Sequence, residues 1–169
     1  AWFVLFRESK FVAIVANKRD VAANVLKKVK TIIKKLPDWM IKATASIEID
    51  NAYAIELTNM SWVKACSTTG DAARSEGLSL LVVDEAGIIQ AMDELWEAAY
   101  PTLRGKGRCI ALSTPKGVGN WFHREYVKAS TNENDFHPIT LTWDVHPERD
   151  EEWFNKETRN MSRTSVAQE

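Results

Sequence analysis

Two continuous apolar runs restrict this chain to few folds. The first, Leu78 to Val83, leads into two acids, and the second, the apolar part of the segment Arg108 to Ser113, follows a helical pattern around Ala91 to Ala99. Unbroken apolar runs of this length are typical of strands that are buried on both faces of a parallel sheet. Because such strands alternate here with helices, the sequence predicts an α/β fold with a mostly parallel sheet flanked by helices.

The segments around these runs fit the same pattern. Phe11 to Ala16 predicts a strand, and apolar residues at helical spacing after it predict a helix that Asp20 caps and Pro37 ends. Alternating residues at Ala54 to Thr58 and Ser61 to Cys66 predict a β-hairpin. Further along the chain, we expect helices over 118–129 and 151–158 and a strand near 139–143.

The composition limits the class of protein. With 169 residues, 45% of them apolar, the chain is long enough to bury a core. A net charge of -1 argues against a protein that coats nucleic acid by bulk electrostatics, so any contact with DNA is expected to be local. The apolar runs are too short to cross a bilayer, and we expect a protein of the cytosol. Cys66 and Cys109 lie in separate apolar segments and are interpreted as small core residues.

The two acids after the first run carry the chemistry. Four apolar residues followed by Asp84 and Glu85 form the arrangement of a Walker B segment in nucleotide hydrolases. Delivered to the end of a buried strand, Asp84 would hold a magnesium ion directly or through water. Glu85 would polarise the water that attacks the terminal phosphate. The alternative is that Asp84 caps the following helix and Glu85 is a surface acid.

Polar residues near the Walker B strand extend this candidate site. The second apolar run ends in Ser113 and Thr114, and hydroxyls at the tip of a neighbouring strand can sense the loss of a terminal phosphate in nucleotide-driven motors. Alone, they fit an ordinary turn equally well. Arg74, on a glycine-containing loop before the Walker B strand, could stabilise charge on the phosphates of a neighbouring subunit. The alternative is an exposed arginine paired with Asp71 or Glu76.

The order of these motifs resembles a known family. The motifs are Asn17-Lys18, the Asp-Ala-Ala-Arg loop at 71–74, Val-Val-Asp-Glu-Ala-Gly at 82–87, Leu-Ser-Thr-Pro-Lys-Gly at 112–117 and Asn-Trp-Phe-His at 120–123. Together they resemble the ATPase domain of the large terminase subunit, the motor that packs DNA into the heads of tailed bacteriophages. The resemblance covers almost the whole chain and implies a P-loop NTPase core of the ASCE/RecA-like type.

The resemblance also implies roles, ligands and partners. It makes Asp84 the magnesium-binding aspartate, Glu85 the catalytic glutamate, Ser113 and Thr114 the coupling motif that responds to bound nucleotide, and Arg74 an arginine finger acting in trans. The implied cofactors are ATP and Mg²⁺. The implied partners are double-stranded DNA, the portal protein, the small terminase subunit and further copies in a ring, in the host cytoplasm at the procapsid portal.

One departure from the family pattern concerns the phosphate-binding loop. These residues contain no Gly-x-x-x-x-Gly-Lys-Ser/Thr string, and Gly105-Lys106-Gly107 is interpreted as a turn. Family order would place the loop before Ala1, where the apolar residues 1–6 resemble the end of a helix. We therefore expect residues 1–169 to be a single, partial ATPase domain without a nuclease domain. Because backbone amides and a lysine are missing from the phosphate cradle, we expect weak ATP binding and negligible hydrolysis.

Two other classes of function stay open at the level of sequence. DNA and RNA helicases share the Asp-Glu strand, but their motif commonly continues to Asp or His at the position that Gly87 occupies here. The second alternative is a non-enzymatic interaction module that kept the sheet of a nucleotide hydrolase after losing its phosphate loop.

Overall fold

The computed structural model describes residues 1–68, 77–103 and 105–166. The chain divides into two compact units, Ala1–Leu112 and Ser113–Glu169, and each is described by itself. The first unit holds the sheet, and the second holds short helices.

The first unit alternates helices and strands. Among its described residues, the helices are α1 (Trp2–Leu5), α2 (Arg19–Lys34), α3 (Asp38–Ala43) and α4 (Met92–Ala99), and a 3-10 turn follows at Tyr100–Leu103. Its strands are β1 (Phe11–Val15), β2 (Ile47–Asn51), β3 (Ala54–Leu57), β4 (Trp62–Cys66), β5 (Leu80–Val83) and β6 (Arg108–Ala111).

These strands form one mixed sheet in the order β2-β3-β4-β1-β5-β6. Strand β1 pairs in parallel with β4 and β5, and β5 pairs in parallel with β6. The β2-β3-β4 part is antiparallel and includes the predicted hairpin. The prediction of a mostly parallel sheet flanked by helices is confirmed. Strand β2 lies within the stretch 43–66 whose alternation predicted β-structure, but only the two strands of the hairpin were predicted there.

Helix α2 covers the sheet next to β1. Its buried residues Ala22, Leu26 and Ile33 join a core that includes Val12 and Ile14 of β1. The predicted cap of this helix was wrong: Lys18 is the N-cap residue and makes no side-chain cap bond. Asp20 lies in the first turn, where its Oδ1 accepts a hydrogen bond from the Tyr53 hydroxyl at 3.2 Å.

Strand β6 differs from its sequence-based prediction. The apolar run predicted a strand buried on both faces, but β6 lies at the edge of the sheet and its exposure alternates. Ile110 is 51% exposed, whereas Cys109 and Ala111 are half-buried. The prediction was wrong because, within the described residues, β5 is the single neighbour of β6.

The second unit contains α5 (Trp121–Ser130), a 3-10 turn (Trp143–Val145), α6 (Glu151–Thr158) and α7 (Arg163–Val166). The two longer helices confirm the predictions, and each begins with a side-chain cap: Asn120 accepts from the His123 N–H, and Asp150 accepts from the Trp153 N–H. The strand predicted near 139–143 is absent from this described segment, which is irregular up to the 3-10 turn. Across the described ranges, no helix is long and apolar enough to cross a membrane.

Candidate active site

The carboxyl ends of four parallel strands meet at one edge of the sheet. Strands β4, β1, β5 and β6 run in the same direction, so the residues that follow them lie along this edge. Asn17 and Lys18 follow β1, Asp84 and Glu85 follow β5, and Leu112 follows β6. Open α/β sheets bind ligands outside this edge. The strongest sequence-based site candidates are therefore placed where the fold permits binding.

Asp84 is fixed at the end of a central strand. Its backbone N–H donates to the carbonyl of Val15 in β1 at 2.8 Å, and its side chain is half-buried. Helix α4 begins only at Met92, and its N-cap residue is Ala91. The alternative in which Asp84 caps the following helix is therefore wrong, and no such role competes for its carboxylate. Its proposed role as a magnesium ligand stays a prediction.

Glu85 has a backbone conformation that a glutamate rarely adopts. Its φ is +55°, in the left-handed region, and the residue is exposed. This conformation costs a residue with a Cβ about 1–2 kcal/mol. Such cost persists only where the surroundings impose it, and residues of this kind cluster at functional sites. The strained position thus coincides with the residue that the sequence marks as the catalytic glutamate.

Two hydrogen bonds whose donors follow Glu85 hold this turn. The Ala86 N–H donates to the Leu112 carbonyl at 3.0 Å, and the Ile88 N–H donates to the Glu85 carbonyl at 2.9 Å. The Ala86 side chain is 1% exposed. Since a backbone hydrogen bond contributes about 0.5–1.5 kcal/mol net, these bonds are comparable in size to the strain that they oppose.

The other sequence-based candidates lie apart from this description. Ser113 and Thr114 begin the second unit, where the Ser113 Oγ donates to the Thr114 carbonyl at 2.8 Å. Their predicted action on the nucleotide beside Asp84 stays a prediction. Arg74 lies outside the described residues, so its role as an arginine finger is also untested.

The sheet edge also carries a basic residue that the sequence reasoning did not select. The Arg19 guanidinium lies 3.9 Å from the centre of the Tyr53 ring, and the Tyr53 hydroxyl bonds Asp20. Tyr53 lies in the β2-β3 turn, far from Arg19 in sequence. The one available signal was position: Arg19 follows the end of β1 closely.

The donor set at this edge fits magnesium in a nucleotide site. Mg²⁺ keeps several waters and is usually held by one or two carboxylates together with substrate phosphates. Asp84 would supply the carboxylate, as the sequence predicts, and Glu85 beside it would stay available to the water. No group of three or more potential ligands was found among the described residues, so phosphate and water oxygens would have to complete the shell of an ion at Asp84.

Both cysteines, Cys66 and Cys109, are free thiols. Cys66 is buried and Cys109 is half-buried, so the core prediction holds best for Cys66. Burial raises the pKa of the Cys66 thiol, and it raises the pKa of Cys109 to about 12. Because the thiolate is the reactive form, both are poor nucleophiles near neutral pH.

Comparisons with solved structures identify the fold. The chain is similar to the large terminase ATPase domain of Thermus phage P74-26, with a TM-score of 0.65 and 22% identity over 96% of this chain and 75% of that one. The large terminase of a thermophilic bacteriophage matches with a TM-score of 0.73 and 12% identity, over 95% of this chain and 39% of that one. The HK97 bacteriophage large terminase matches with a TM-score of 0.61 and 16% identity, over 95% of this chain and 35% of that one. No family model matches the sequence.

These matches confirm the fold expected from the motifs. The sheet and its helices form the RecA-like fold of phage large-terminase ATPase domains, and the likeness extends over nearly the whole chain. The chain spans about three quarters of the Thermus phage domain, but well under half of the two longer terminases.

Proposed function

We propose that this chain is the core of the ATP-hydrolysing motor domain of a viral large terminase, which drives double-stranded DNA into a procapsid. The observation that carries the proposal is the position of Asp84 and Glu85 at the carboxyl end of β5, within a sheet that matches terminase ATPase domains. Fold alone does not define function, so the proposed function is argued from these two carboxylates.

The proposed chemistry assigns one role to each residue. Asp84 would hold the magnesium ion that accompanies the nucleotide, and a bound ion would supply positive charge to offset that of the phosphates. Glu85 orients the attacking water and accepts its proton. Ser113 and Thr114 respond to the terminal phosphate, and Arg74 reaches the phosphates of a neighbouring subunit. Terminase structures of the thermophilic phage were solved with ADP and with ATP-gamma-S, which supports ATP as the ligand.

The phosphate cradle requires a further segment. These 169 residues contain no phosphate-loop string. We place the loop in a segment that precedes Ala1 in the intact protein, where its amides and lysine would hold the triphosphate. By itself, the chain would bind ATP weakly and turn it over negligibly.

The proposed partners are those of a packaging motor. They are double-stranded DNA, the portal protein, the small terminase subunit and further copies of the protein in a ring, in the host cytoplasm at the procapsid portal. With a net charge of -1, contact with DNA would depend on local basic groups rather than on overall charge.

The experiment that tests the proposal measures ATP hydrolysis by the protein extended to include its phosphate loop. Turnover is compared without nucleic acid and with double-stranded DNA, single-stranded DNA and RNA. A packaging motor predicts turnover that double-stranded DNA stimulates most. Stimulation chiefly by single strands would favour a helicase, and absence of hydrolysis under all conditions would favour a non-catalytic interaction module.

A further inference from the structure

We infer that Leu112 is a positioning residue for Glu85: its main-chain carbonyl holds the strained turn in place and transmits movement of the β6 tip to the carboxylate. The inference rests on the proposed function, in which Glu85 acts on the attacking water. Leu112 itself touches neither nucleotide nor water in this account.

The turn is held between the ends of two strands. On one side, the Asp84 N–H donates to Val15 at the end of β1. On the other side, the Ala86 N–H donates to Leu112 just past the end of β6. Glu85 lies between these two anchors and is the residue that takes the positive φ. The two anchors therefore define its backbone conformation.

Leu112 forms hydrogen bonds through both of its backbone groups, one to the end of β5 and one to the turn that follows it. Its N–H donates to the Val83 carbonyl at 3.0 Å, and its carbonyl accepts from the Ala86 N–H at 3.0 Å. A shift of Leu112 along or away from β5 would change both bonds at once. The bond to Ala86 is the one that opposes relaxation of Glu85.

The two anchors differ in how firmly the sheet holds them. Val15 is fully buried and belongs to β1, which has a neighbour on each side. Leu112 is 45% exposed and follows the edge strand β6. Free energies of local opening are lowest where few buried contacts hold the backbone. Leu112 is thus the anchor that can move while Val15 stays in place.

The chain links this movable anchor directly to the predicted coupling residues. Ser113 follows Leu112, so a displacement of the Ser113 backbone acts on Leu112 through one peptide bond. We propose that this is how loss of the terminal phosphate changes Glu85: the Leu112 carbonyl withdraws from Ala86, and Glu85 relaxes from its left-handed conformation.

Amide hydrogen exchange on this chain tests the clamp, which is the hydrogen bond from the Ala86 N–H to the Leu112 carbonyl, without requiring activity. We expect the Ala86 amide to exchange at least 100-fold more slowly than an unstructured amide, although the adjacent Glu85 is exposed. The Ala65 amide, which donates to Tyr53 at 2.7 Å, serves as the reference within the same sheet. Exchange of Ala86 at the unstructured rate, with Ala65 protected, would overturn the inference.

Kinetics of the phosphate-loop-containing protein test positioning. Ala86→Pro removes the backbone N–H donor. Ala86→Ser keeps this N–H and has a side chain of similar size. We expect Ala86→Pro to lower kcat more than 30-fold with KM for ATP changed less than threefold, and Ala86→Ser to leave both within threefold. If Ala86→Pro keeps kcat, or if KM rises as much as kcat falls, Leu112 does not act through Glu85.

Two further arms keep the outcomes distinct. If Ala86→Pro does not fold, an ester in place of the Ala86 amide removes the same N–H with a smaller change, and the same kcat loss is expected.

In the phosphate-loop-containing parent protein, the Ala86 amide should exchange at least tenfold faster with ADP than with ATP-gamma-S, while the exchange rate of the Ala65 amide is unchanged. Equal exchange rates of the Ala86 amide with the two nucleotides would refute the proposed transmission of movement from Ser113 through Leu112 to Glu85. A parent without turnover would refute the proposed function, but the exchange measurement would still decide the clamp.

Discussion

The backbone N–H of Ala86 donates to the carbonyl of Leu112 at 3.0 Å, immediately after the strained, exposed Glu85. This bond joins the turn that carries the candidate catalytic carboxylate to the residue that precedes the predicted coupling motif. The strands that support both groups are neighbours in register, with Val83 opposite Ala111. The arrangement explains why a glutamate can occupy a conformation that usually favours glycine.

A stability prediction follows from the positive φ of Glu85. We expect Glu85→Gly to give a free energy of unfolding about 0.5–1 kcal/mol higher than that of Glu85→Ala, because glycine avoids the Cβ penalty of about 1–2 kcal/mol but loses more chain entropy on folding. Denaturant unfolding of the two variants measures this difference.

The matched control is the exposed Glu97 in helix α4. There we expect the opposite order, with Glu97→Gly about 1 kcal/mol less stable than Glu97→Ala, because the helix interior disfavours glycine. A glycine variant that is the less stable one at both positions would show that Glu85 is unstrained.

A second prediction concerns pH and the contact between α2 and β2. Asp50 Oδ1 and Oδ2 lie 2.7 Å from Lys30 Nζ and Lys34 Nζ, respectively. The hydrogen bond from Lys30, followed by that from Lys34, lowers the pKa of Asp50 below its ordinary value of 3.8. The stabilisation is therefore present above that value and is lost as pH falls through the lower folded-state pKa.

The variant Asp50→Asn tests this contact. Since the carboxylate is partly exposed, we expect the free energy of unfolding to fall by no more than about 1 kcal/mol at pH 7. This loss should shrink towards zero at pH values below the folded-state pKa of Asp50. Glu48→Gln, at an exposed position of the same strand, is the control and should change stability less. A difference in free energy of unfolding between Asp50→Asn and the parent that does not depend on pH would contradict the ion-pair explanation.

Thiol reactivity gives a third prediction. With a pKa of about 12, Cys109 has a thiolate fraction of about one in ten thousand at pH 8. We expect its modification by a disulfide reagent at pH 8 to be at least 100-fold slower in the native protein than in guanidinium, where the pKa returns to about 8.5. Mass spectrometry locates the modified residue, and equal rates in both conditions would show that the thiol is not desolvated.

The sequence predicted the fold best where its pattern was local. The apolar runs of β1 and β5, the helical spacing of α2 and the capped helix over 151–158 all lie within a few residues of their predicted bounds. It failed where a partner decides the outcome. Strand β6 has the composition of a buried strand, but its exposure depends on its position at the sheet edge. Asp20 has a side chain suited to capping a helix, but it accepts a hydrogen bond from Tyr53, which lies in a turn distant in sequence.

The candidate site was predictable in composition but not in geometry. The Asp-Glu pair after an apolar run indicated the residues and the strand end that holds them. No sequence pattern indicated that Glu85 takes a positive φ or that Leu112 holds the next amide, because glutamate has no preference for that region and backbone bonds leave no trace in residue type. The roles of Ser113, Thr114 and Arg74 stay predictions.

The most direct test of the account measures ATP turnover by the phosphate-loop-containing protein and by its Glu85→Gln variant at saturating Mg²⁺-ATP, with Glu97→Gln as the control. Removing a general base costs about 10²–10⁴-fold in rate. We predict that Glu85→Gln lowers kcat at least 100-fold while nucleotide binding stays within threefold, and that Glu97→Gln changes neither. A Glu85→Gln protein with a kcat within threefold of the parent would contradict the assignment of this carboxylate to the hydrolytic step.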